Sequence, residues 1–418
     1  MLTFILEKHP IWSSPDGTKF IYYYDETTWV VGALALAWLT WFLVRRYWRA
    51  RALRRPPRRV NYSLLKRIVK LKSQLSSTYL RPGFSNNIHA VGIGLLGGAN
   101  EYCIQVFITD ATQELWAGAG AATLPASYRG VPLTLIEMAA SGFLATARSS
   151  SFATQEQYPN GIREHQEIII GGISGANANL TGQSGTIGYF CTRKSKLLRR
   201  KELHLLSNSH VFADLRKEKA DDGDLIMQPS PGEPTGNRPI GALVNYAALK
   251  FHQDITDPNH IDAAIAKLWG TQPHKPLIPL IGAVKGYVAT KDIELGEAAR
   301  KFGRTTGYTE GVIFSIYLDI WIRYDRTGQS AFFQNQFLIE PSSPNFFQFV
   351  AKGDSGALVV DAEQHALGLI FAGTSELPES LRAVPNAPPV NPPQRIKGYG
   401  VANPISEVLE RLKIELLV

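Results

Sequence analysis

A glycine-rich turn carries the serine whose surroundings best suit nucleophilic chemistry. It reads Gly353-Asp354-Ser355-Gly356 and precedes the apolar run Leu358–Val360. A serine hydroxyl attacks a carbonyl only when a base removes its proton, and the oxyanion that forms needs hydrogen-bond donors close by. A glycine two positions before the serine lets two backbone N–H groups turn toward one point. We therefore expect Ser355 to be the nucleophile, with an oxyanion hole made by the N–H groups of Gly353 and Ser355.

The candidate base is a histidine placed just after an apolar run. His210 follows residues 203–206 and a short Ser/Asn turn, which together predict the end of a strand. Imidazole is the side chain most often used for proton transfer near neutral pH. His204 lies inside the apolar run, so we expect it to pack within the strand and not to act as the base.

The candidate acid stands at the entrance to a strongly apolar strand. Asp262 directly precedes Ala263–Ala266, and a carboxylate this close to a core is costly without a partner. Such an acid can hold the second nitrogen of the imidazole and stabilise its charged form. Asp254 and Asp257 lie in a polar loop and are weaker candidates.

The chain order of these three residues separates this pattern from other hydrolase classes. The order His210, Asp262, Ser355 and the GDSG motif resemble the trypsin-like serine protease family, whereas subtilisins run Asp, His, Ser and α/β-hydrolases run Ser, acid, His. Further matching motifs are Thr186-Ile187-Gly188, Gly303-Arg304-Thr305-Thr306-Gly307 and Tyr399-Gly400-Val401. One departure is the histidine motif, which reads Ser-Asn-Ser-His where secreted members commonly have Ala-Ala-His.

The resemblance covers roughly Glu167–Val418 and implies a mainly β, chymotrypsin-like fold. It implies two six-stranded antiparallel β-barrels with the site between them, followed by a C-terminal helix. In this sequence Asn403 and Pro404 are expected to cap that helix.

The resemblance also implies where the side chain next to the cleaved bond is held. Phe349 corresponds to the floor of the primary pocket, and Gly373 and Gly400 correspond to its walls. No acid stands at the floor, so Arg and Lys are expected to be poor and Ala, Val or Leu to be preferred. The Pro-rich stretch 385–393 lies between the two glycines and is able to reshape the pocket.

Asp354 needs a cation or several hydrogen-bond donors if it is buried. In secreted relatives that partner is a new N-terminus, and Ile169-Ile170-Gly171-Gly172 looks similar to the sequence released in them. Cleavage after Ile168 is therefore one way to activate the site. The alternative, which we prefer because no basic residue flanks Ile168, is an uncleaved chain in which Asp354 pairs with a fixed basic side chain or with backbone N–H groups.

A small α+β domain is expected before the protease-like region. Helical spacing of apolar residues predicts an amphipathic helix over Tyr62–Tyr79, and alternating runs predict strands at His89–Leu95, Tyr102–Ile108 and Val131–Ile136. Lysines and arginines interleaved in the helix, including Lys72, are expected on its polar face. The glycines at 92, 94 and 97 match G-x-G-x-x-G, but a strand follows them where a helix is needed, so we expect a hairpin and no dinucleotide site.

The segment Thr27–Val44 contains no charged residue and just reaches the length of a membrane-spanning helix. Eight arginines and no acids lie in Arg45–Arg59, against only Lys8 and Lys19 before the span, which predicts a protease domain facing the cytoplasm. The same arginines are candidates for contact with anionic lipid head groups. The predicted divisions are a tail at 1–26, the transmembrane helix at 27–44, an Arg-rich linker at 45–60, the accessory domain at 61–165 and the protease domain at 166–418.

Composition excludes several other classes. The net charge of +8 falls to zero once the eight arginines are subtracted, so a chain-wide footprint for nucleic acid is absent. Cys103 and Cys191 form no disulfide framework or zinc motif, and neither a metal nor an organic cofactor is expected. Two alternatives to a membrane-anchored serine endopeptidase stay open: a catalytically idle trypsin-like scaffold, and a protein that binds anionic lipid or nucleic acid through its Arg-rich segment.

Overall fold

The computed structural model describes most of the chain from residue 62 onward and short pieces before it. The described residues are 8–13, 20–24, 34–42, 44, 62–82, 87–96, 101–109, 125–138, 143–145, 161–194, 201–217, 223–234, 236–252, 254–342, 348–374 and 398–418. Compact units are Met1–Arg54 and Arg55–Val418. The predicted Arg-rich linker at 45–60 lies outside the described residues, as do residues 27–33 of the predicted span.

The first unit contains a pair of antiparallel strands, β1 (Lys8–Ser13) and β2 (Phe20–Tyr24). Residues 34–42 form a helix, α1. Within the described part of the chain, no helix combines the length and the apolar character that crossing a bilayer requires.

The first lobe of the second unit is a seven-stranded sheet in the order β21-β9-β10-β13-β12-β11-β8. Its pairings are antiparallel, and its apolar core includes Phe190, Leu206 and Ile265. The strands are β8 Ala176–Asn177, β9 Tyr189–Lys194, β10 Lys201–Ser207, β11 Leu225–Gln228, β12 Arg238–Tyr246, β13 Ala264–Leu268 and β21 Ile414–Leu416. A single turn, α3 (Ser209–Phe212), follows β10.

The second lobe belongs to a twelve-stranded sheet whose main path runs β15-β18-β19-β20-β17-β16-β3-β4-β6-β5, with β7 and β14 beside it. The strands of this lobe are β14 Gly286–Tyr287, β15 Ala298–Gly303, β16 Gly307–Tyr324, β17 Gln329–Pro341, β18 Leu358–Val360, β19 His365–Gly373 and β20 Gly400–Pro404. A 3₁₀ turn at Thr290–Asp292 and helix α4 (Ile405–Leu412) complete it. The two-lobed, mainly β architecture expected from the sequence is confirmed.

The segment before the lobes contributes helix α2 and five strands to this sheet. They are α2 Tyr62–Tyr79, β3 Ile88–Leu95, β4 Tyr102–Ile108, β5 Ser127–Tyr128, β6 Val131–Glu137 and β7 Leu144–Ala145. The predicted helix and three predicted strands are therefore confirmed, and Gly92 and Gly94 lie in β3, which forms a hairpin with β4. We call α2 and β3–β7 together the N-terminal segment.

The predicted separation of this segment from two six-stranded barrels is wrong in one respect. Strand β3 pairs with β16, so the N-terminal segment and the second lobe share one continuous sheet. This pairing is possible because β16 runs for 18 residues and pairs with β15 only over Gly307–Val312, so that β3 can pair with it further along, over Ile316–Ile320. Along its first half buried and partly buried residues alternate, as expected for a strand with one face on a core.

Helix α2 buries the face that carries Leu65, Ile68, Leu71 and Leu75, which recur at the spacing of one helical stripe. The prediction for Lys72 is wrong, because its side chain lies on this buried face.

Candidate active site

His210 lies in the single turn α3, directly after strand β10. The two residues before it fasten this turn to the start of β13: Ser209 Oγ donates a hydrogen bond to the carbonyl of Ala263 (2.9 Å), and Asn208 Nδ2 donates to the carbonyl of Asp262 (2.6 Å). The Ser-Asn-Ser-His departure noted in the sequence thus supplies polar side chains that set the position of the histidine.

Asp262 is fully buried and holds the histidine through two contacts. His210 Nδ1 donates to Asp262 Oδ2 over 2.6 Å, and the backbone N–H of His210 donates to Oδ1 over 3.2 Å. The Tyr324 hydroxyl also donates to Oδ2, over 2.8 Å. These three donors fix the carboxylate, and its contact with Nδ1 directs the other ring nitrogen of His210, Nε2, away from it.

Asn403 fixes the backbone of this acid and does not cap the C-terminal helix. Its Oδ1 accepts the N–H of Asp262 (3.0 Å) and its Nδ2 donates to the Asp262 carbonyl (3.2 Å). Helix α4 follows Pro404 without any side-chain cap. The predicted cap is therefore wrong, because the Asn403 side-chain amide binds the backbone of Asp262, the partner of His210.

The weaker candidates for the acid and the base make other contacts. Asp254 accepts hydrogen bonds from Thr256, and Asp257 forms an exposed ion pair with Lys250. His204 is buried in β10, where its Nδ1 lies 2.9 Å from the carbonyl of Glu202.

Ser355 lies in a tight loop with two glycines in conformations that other residues rarely adopt. Gly353 has φ +100° and Gly356 has φ +96°. The Ser355 carbonyl accepts the N–H of Thr186 from the first lobe (2.8 Å), which ties the loop to the opposite lobe. Among the described residues, neither the N–H of Gly353 nor that of Ser355 donates a hydrogen bond. Two free donors beside the hydroxyl are what an oxyanion hole requires.

Nε2 of His210 is buried and has no hydrogen-bond partner among the described residues. The hydroxyl of Ser355 is therefore not bonded to it in this structure, although both side chains are nearly buried. Catalytic hydrogen bonds are often long before substrate binds. A cavity of about 240 Å³ opens against His210 and is lined also by Tyr324, Arg216 and Arg326.

Asp354 is fully buried under the serine loop and is surrounded by donors. Its Oδ1 accepts the N–H groups of Thr305 (2.8 Å) and Thr306 (3.1 Å), and its Oδ2 accepts the N–H of Ala351 (3.0 Å). The Thr306 hydroxyl donates to Oδ2 over 2.7 Å, and Lys301 Nζ lies 3.3 Å away. Burial lowers the pKa of Lys301, and the charge of Asp354 opposes that effect.

Ile169 does not serve as the partner of Asp354. Its side chain is buried, and its N–H donates to the carbonyl of Pro273 (2.9 Å) within the first lobe. Gly171 continues the segment by donating to the carbonyl of Leu277 (2.9 Å). In the uncut chain, the basic side chain beside Asp354 is Lys301.

The three residues implied for the primary pocket lie together. A side chain at Gly400 would reach within 2.8 Å of the Phe349 ring, and one at Gly373 within 2.3 Å of Val350. Phe349 is fully buried. The cavity beside Ser355 and Gly373 is small, about 20 Å³, which is room for about one water molecule.

One group within the described ranges has metal-ligand chemistry, namely Asp361, Glu363 and His365. Asp361 Oδ1 already accepts the N–H groups of Glu363 (2.9 Å) and His365 (2.8 Å), so this carboxylate closes the turn between β18 and β19. Turn formation explains the cluster without an ion.

Comparison with known proteins gives likeness in structure alone. No family model matches the chain, and no curated protein sequence matches it. Among solved structures, Thermobifida fusca Protease A is 16% identical, with 60% of this chain and 99% of that chain covered and a TM-score of 0.38. The Nocardiopsis protease is 15% identical (60% and 99% covered, TM-score 0.37), and the chymotrypsin of Cellulomonas bogoriensis is 16% identical (60% and 98% covered, TM-score 0.35). At this level of similarity the roles of individual residues rest on the geometry described above.

Proposed function

We propose that this chain is a serine endopeptidase that cleaves protein or peptide substrates through an acyl-enzyme. Ser355 Oγ attacks the scissile carbonyl while His210 Nε2 takes its proton, and Asp262 stabilises the imidazolium. The N–H groups of Gly353 and Ser355 bind the oxyanion. His210 then gives its proton to the leaving amine. Water next attacks the acyl-enzyme, while His210 takes its proton and returns it to Ser355 Oγ.

The observation that carries this function is the pairing of His210 with Asp262. An imidazole whose Nδ1 is held by a buried carboxylate presents Nε2 as the basic nitrogen. Two donor groups free on the neighbouring serine loop supply the second requirement of acyl transfer.

The substrate class follows from the space beside the serine. The cavity next to Ser355 is small, about 20 Å³, and Val350, Ala351 and Gly373 are among the residues that line it. Gly or Ala is therefore expected before the cleaved bond, ahead of Val and Leu, and Arg and Lys are expected to be poor. A peptide library with strong selection for Arg or Lys would contradict this assignment.

The test is active-site labelling of the full chain by a fluorophosphonate. Wild-type protein should label at Ser355, and Ser355→Ala and His210→Ala should abolish labelling and peptide turnover. Asp262→Asn should be nearly as severe, because the amide favours the wrong imidazole tautomer. Intact-mass measurement should show an uncut chain during labelling. Full turnover by Ser355→Ala would remove the assignment, and labelling only with a fragment that starts near Ile169 would restore activation by cleavage.

A catalytically idle scaffold is the second candidate, and two observations favour it. His210 Nε2 has no partner among the described residues, and the cavity beside Ser355 is small. The same labelling experiment decides, since an idle site gives no Ser355 adduct at any pH while the fold stays intact by circular dichroism.

Membrane attachment through Thr27–Val44, with the protease lobes in the cytoplasm, belongs to the same proposal. Its support is the uncharged sequence of that segment and the arginines at 45–59. A tag at Met1 should be accessible from outside intact cells and a tag at Val418 only after lysis; the reverse pattern contradicts the placement. Loss of binding to anionic vesicles when these arginines are replaced would show a lipid contact.

A further inference from the structure

Tyr324 contacts both partners of the His210–Asp262 pair. Its hydroxyl donates to Asp262 Oδ2 over 2.8 Å, and its ring packs edge to face on the imidazole of His210, with centroids 5.7 Å apart at 78°. The side chain is buried. Burial first, and then the neighbouring charge of Asp262, raise the pKa of Tyr324 well above its ordinary value, so the phenol stays a donor throughout the neutral range.

The hydroxyl completes the set of donors that holds the Asp262 carboxylate. Oδ1 accepts the backbone N–H of His210, while Oδ2 accepts both His210 Nδ1 and the Tyr324 hydroxyl. Without that hydroxyl, the buried carboxylate loses one of the three hydrogen bonds that it accepts and gains freedom to turn about its Cβ–Cγ bond. The imidazole, which takes its orientation from Oδ2, would turn with it.

Tyr324 reaches this position because it is the last residue of β16, at the tip of the long hairpin with β17. On one side its ring lies against Phe251 and Phe333, with ring centroids at 5.3 and 6.4 Å. Along the strand, Tyr324 is paired with Ala145 of β7.

The N-terminal segment holds the hairpin at several points. Strand β3 pairs with β16 over Ile316–Ile320, and the Trp321 Nε1–H donates to the carbonyl of Leu80, just past α2 (2.9 Å). Lys72 of α2 lies 2.7 Å from Asp319 of β16, and both side chains are buried. These contacts fix the register of the strand that ends at Tyr324.

We propose that Tyr324 is a positioning residue of the catalytic triad, and that the N-terminal segment acts on catalysis by holding the hairpin that carries it. The proposal rests on the function proposed above. It gives the segment before the protease lobes a role in the reaction that the sequence did not indicate.

The first test replaces the hydroxyl alone. Tyr324→Phe should lower kcat for a peptide substrate about tenfold with KM nearly unchanged, the size expected for one hydrogen bond to a buried charge. The acid limb of the kcat/KM profile should move to higher pH, because a carboxylate with one donor fewer attracts the protonated imidazole more strongly.

The matched control is Tyr189→Phe. Tyr189 is also buried, and its hydroxyl donates to the carbonyl of Pro276 (2.9 Å) and accepts the N–H of Val284 (3.0 Å) in the first lobe. This variant should lose stability without a shift of the acid limb. Equal effects of the two variants on kcat and on the acid limb would show that Tyr324 contributes only to packing, and would overturn the proposal.

A double-mutant cycle tests the role of the N-terminal segment. Lys72→Met should lower kcat, and its effect in the Tyr324→Phe background should be smaller than in wild type, because both changes act through the same hydroxyl. Additive effects, or a Lys72→Met protein that folds with unchanged kcat and acid limb, would overturn this part.

Proton NMR separates failure of the proposal from failure of the proposed function. If wild-type protein neither labels nor turns over, the endopeptidase assignment fails, yet the low-field Nδ1–H resonance of His210 still reports the geometry. That resonance should shift in Tyr324→Phe and not in Tyr189→Phe. An unchanged resonance in Tyr324→Phe shows that the hydroxyl does not position the pair.

Discussion

Two buried lysine–aspartate pairs, Lys301–Asp354 and Lys72–Asp319, lie in different parts of the second unit and differ in what surrounds the carboxylate. Asp354 accepts three backbone N–H groups and a threonine hydroxyl besides its lysine. Asp319 accepts one backbone N–H, from Asn335 (3.1 Å), besides Lys72.

The two lysines differ in the same way. Lys301 donates hydrogen bonds to the Thr306 hydroxyl and the Gly307 carbonyl (3.3 Å). Lys72 Nζ lies 2.7 Å from Asp319 Oδ2, and the carboxylate is the charged partner that opposes the effect of burial on the pKa of this lysine. The pair under the serine loop is thus part of a polar network, whereas the pair between α2 and β16 depends on one contact. Removing one member should therefore have different consequences in the two places.

The largest effect is expected for Asp354→Ala. It leaves Lys301 buried without its counter-charge and deprives three backbone N–H groups of their acceptor, so the free energy of unfolding should fall by about 4 kcal/mol. The serine loop should lose its shape, and fluorophosphonate labelling should slow by a factor of about 100 or more.

Asp361→Ala is the control for that prediction, because Asp361 is also buried and also accepts two backbone N–H groups. It should cost stability, measured by urea denaturation, and leave the labelling rate close to wild type. Labelling of Asp354→Ala at the wild-type rate would show that the network is not needed to shape the loop.

The contrast between the pairs also shows how far sequence reasoning reaches. The Tyr62–Tyr79 helix and the strands near it were predictable because periodicity is local. The contact between His210 and Asp262 was predictable because a base after a strand and an acid before one are each recognisable from local sequence. Lys72 was assigned to the polar face because nothing in α2 indicates that Asp319, far along the chain, would neutralise it.

The remaining features, which the sequence did not predict, depend on contacts between residues far apart in the chain. Tyr324 and Asn403 reach Asp262 from 62 and 141 positions away. Neither residue belongs to a motif, and the pairing of β3 with β16 cannot be read from the pattern of either strand alone. The burial of Lys301 could in part be predicted, because strand alternation places it on the same face as the buried Ala299.

Lys72→Met should produce the next largest loss of stability. Asp319 would stay buried with one donor, which costs about 3 kcal/mol. Lys72→Met combined with Asp319→Leu replaces both charges by apolar groups of similar size and should recover to within about 1 kcal/mol of wild type. Denaturation of the four proteins in the cycle measures this; a double variant less stable than Lys72→Met would contradict the single-contact description.

Lys301→Met should cost less stability than Lys72→Met. Asp354 keeps three backbone N–H donors and the Thr306 hydroxyl, so the loss should be about 1–2 kcal/mol. The rate of labelling should nevertheless fall by more than this loss of stability explains, because the affected carboxylate supports the serine loop. A loss of stability as large as that of Lys72→Met would remove the distinction between the two pairs.

The smallest expected effect is on the pH dependence of stability, and it tests whether burial lowers the pKa of both lysines. Burial lowers the pKa of Lys72 and of Lys301, and in each case the partner aspartate only opposes that effect. Between the lowered value and the ordinary value of a lysine, the unfolded chain holds a proton that the folded chain has released. The free energy of unfolding therefore rises with pH in that window. The stability of wild type relative to Lys72→Met, and relative to Lys301→Met, should grow as the pH rises toward about 10, the ordinary range of a lysine. Urea denaturation at several pH values measures both differences, and titration of other groups cancels because each variant differs by one lysine. If a difference shrank as pH rises, the attraction of the aspartate would exceed the cost of burial at that pair, and that pair would be the one held together by its charges.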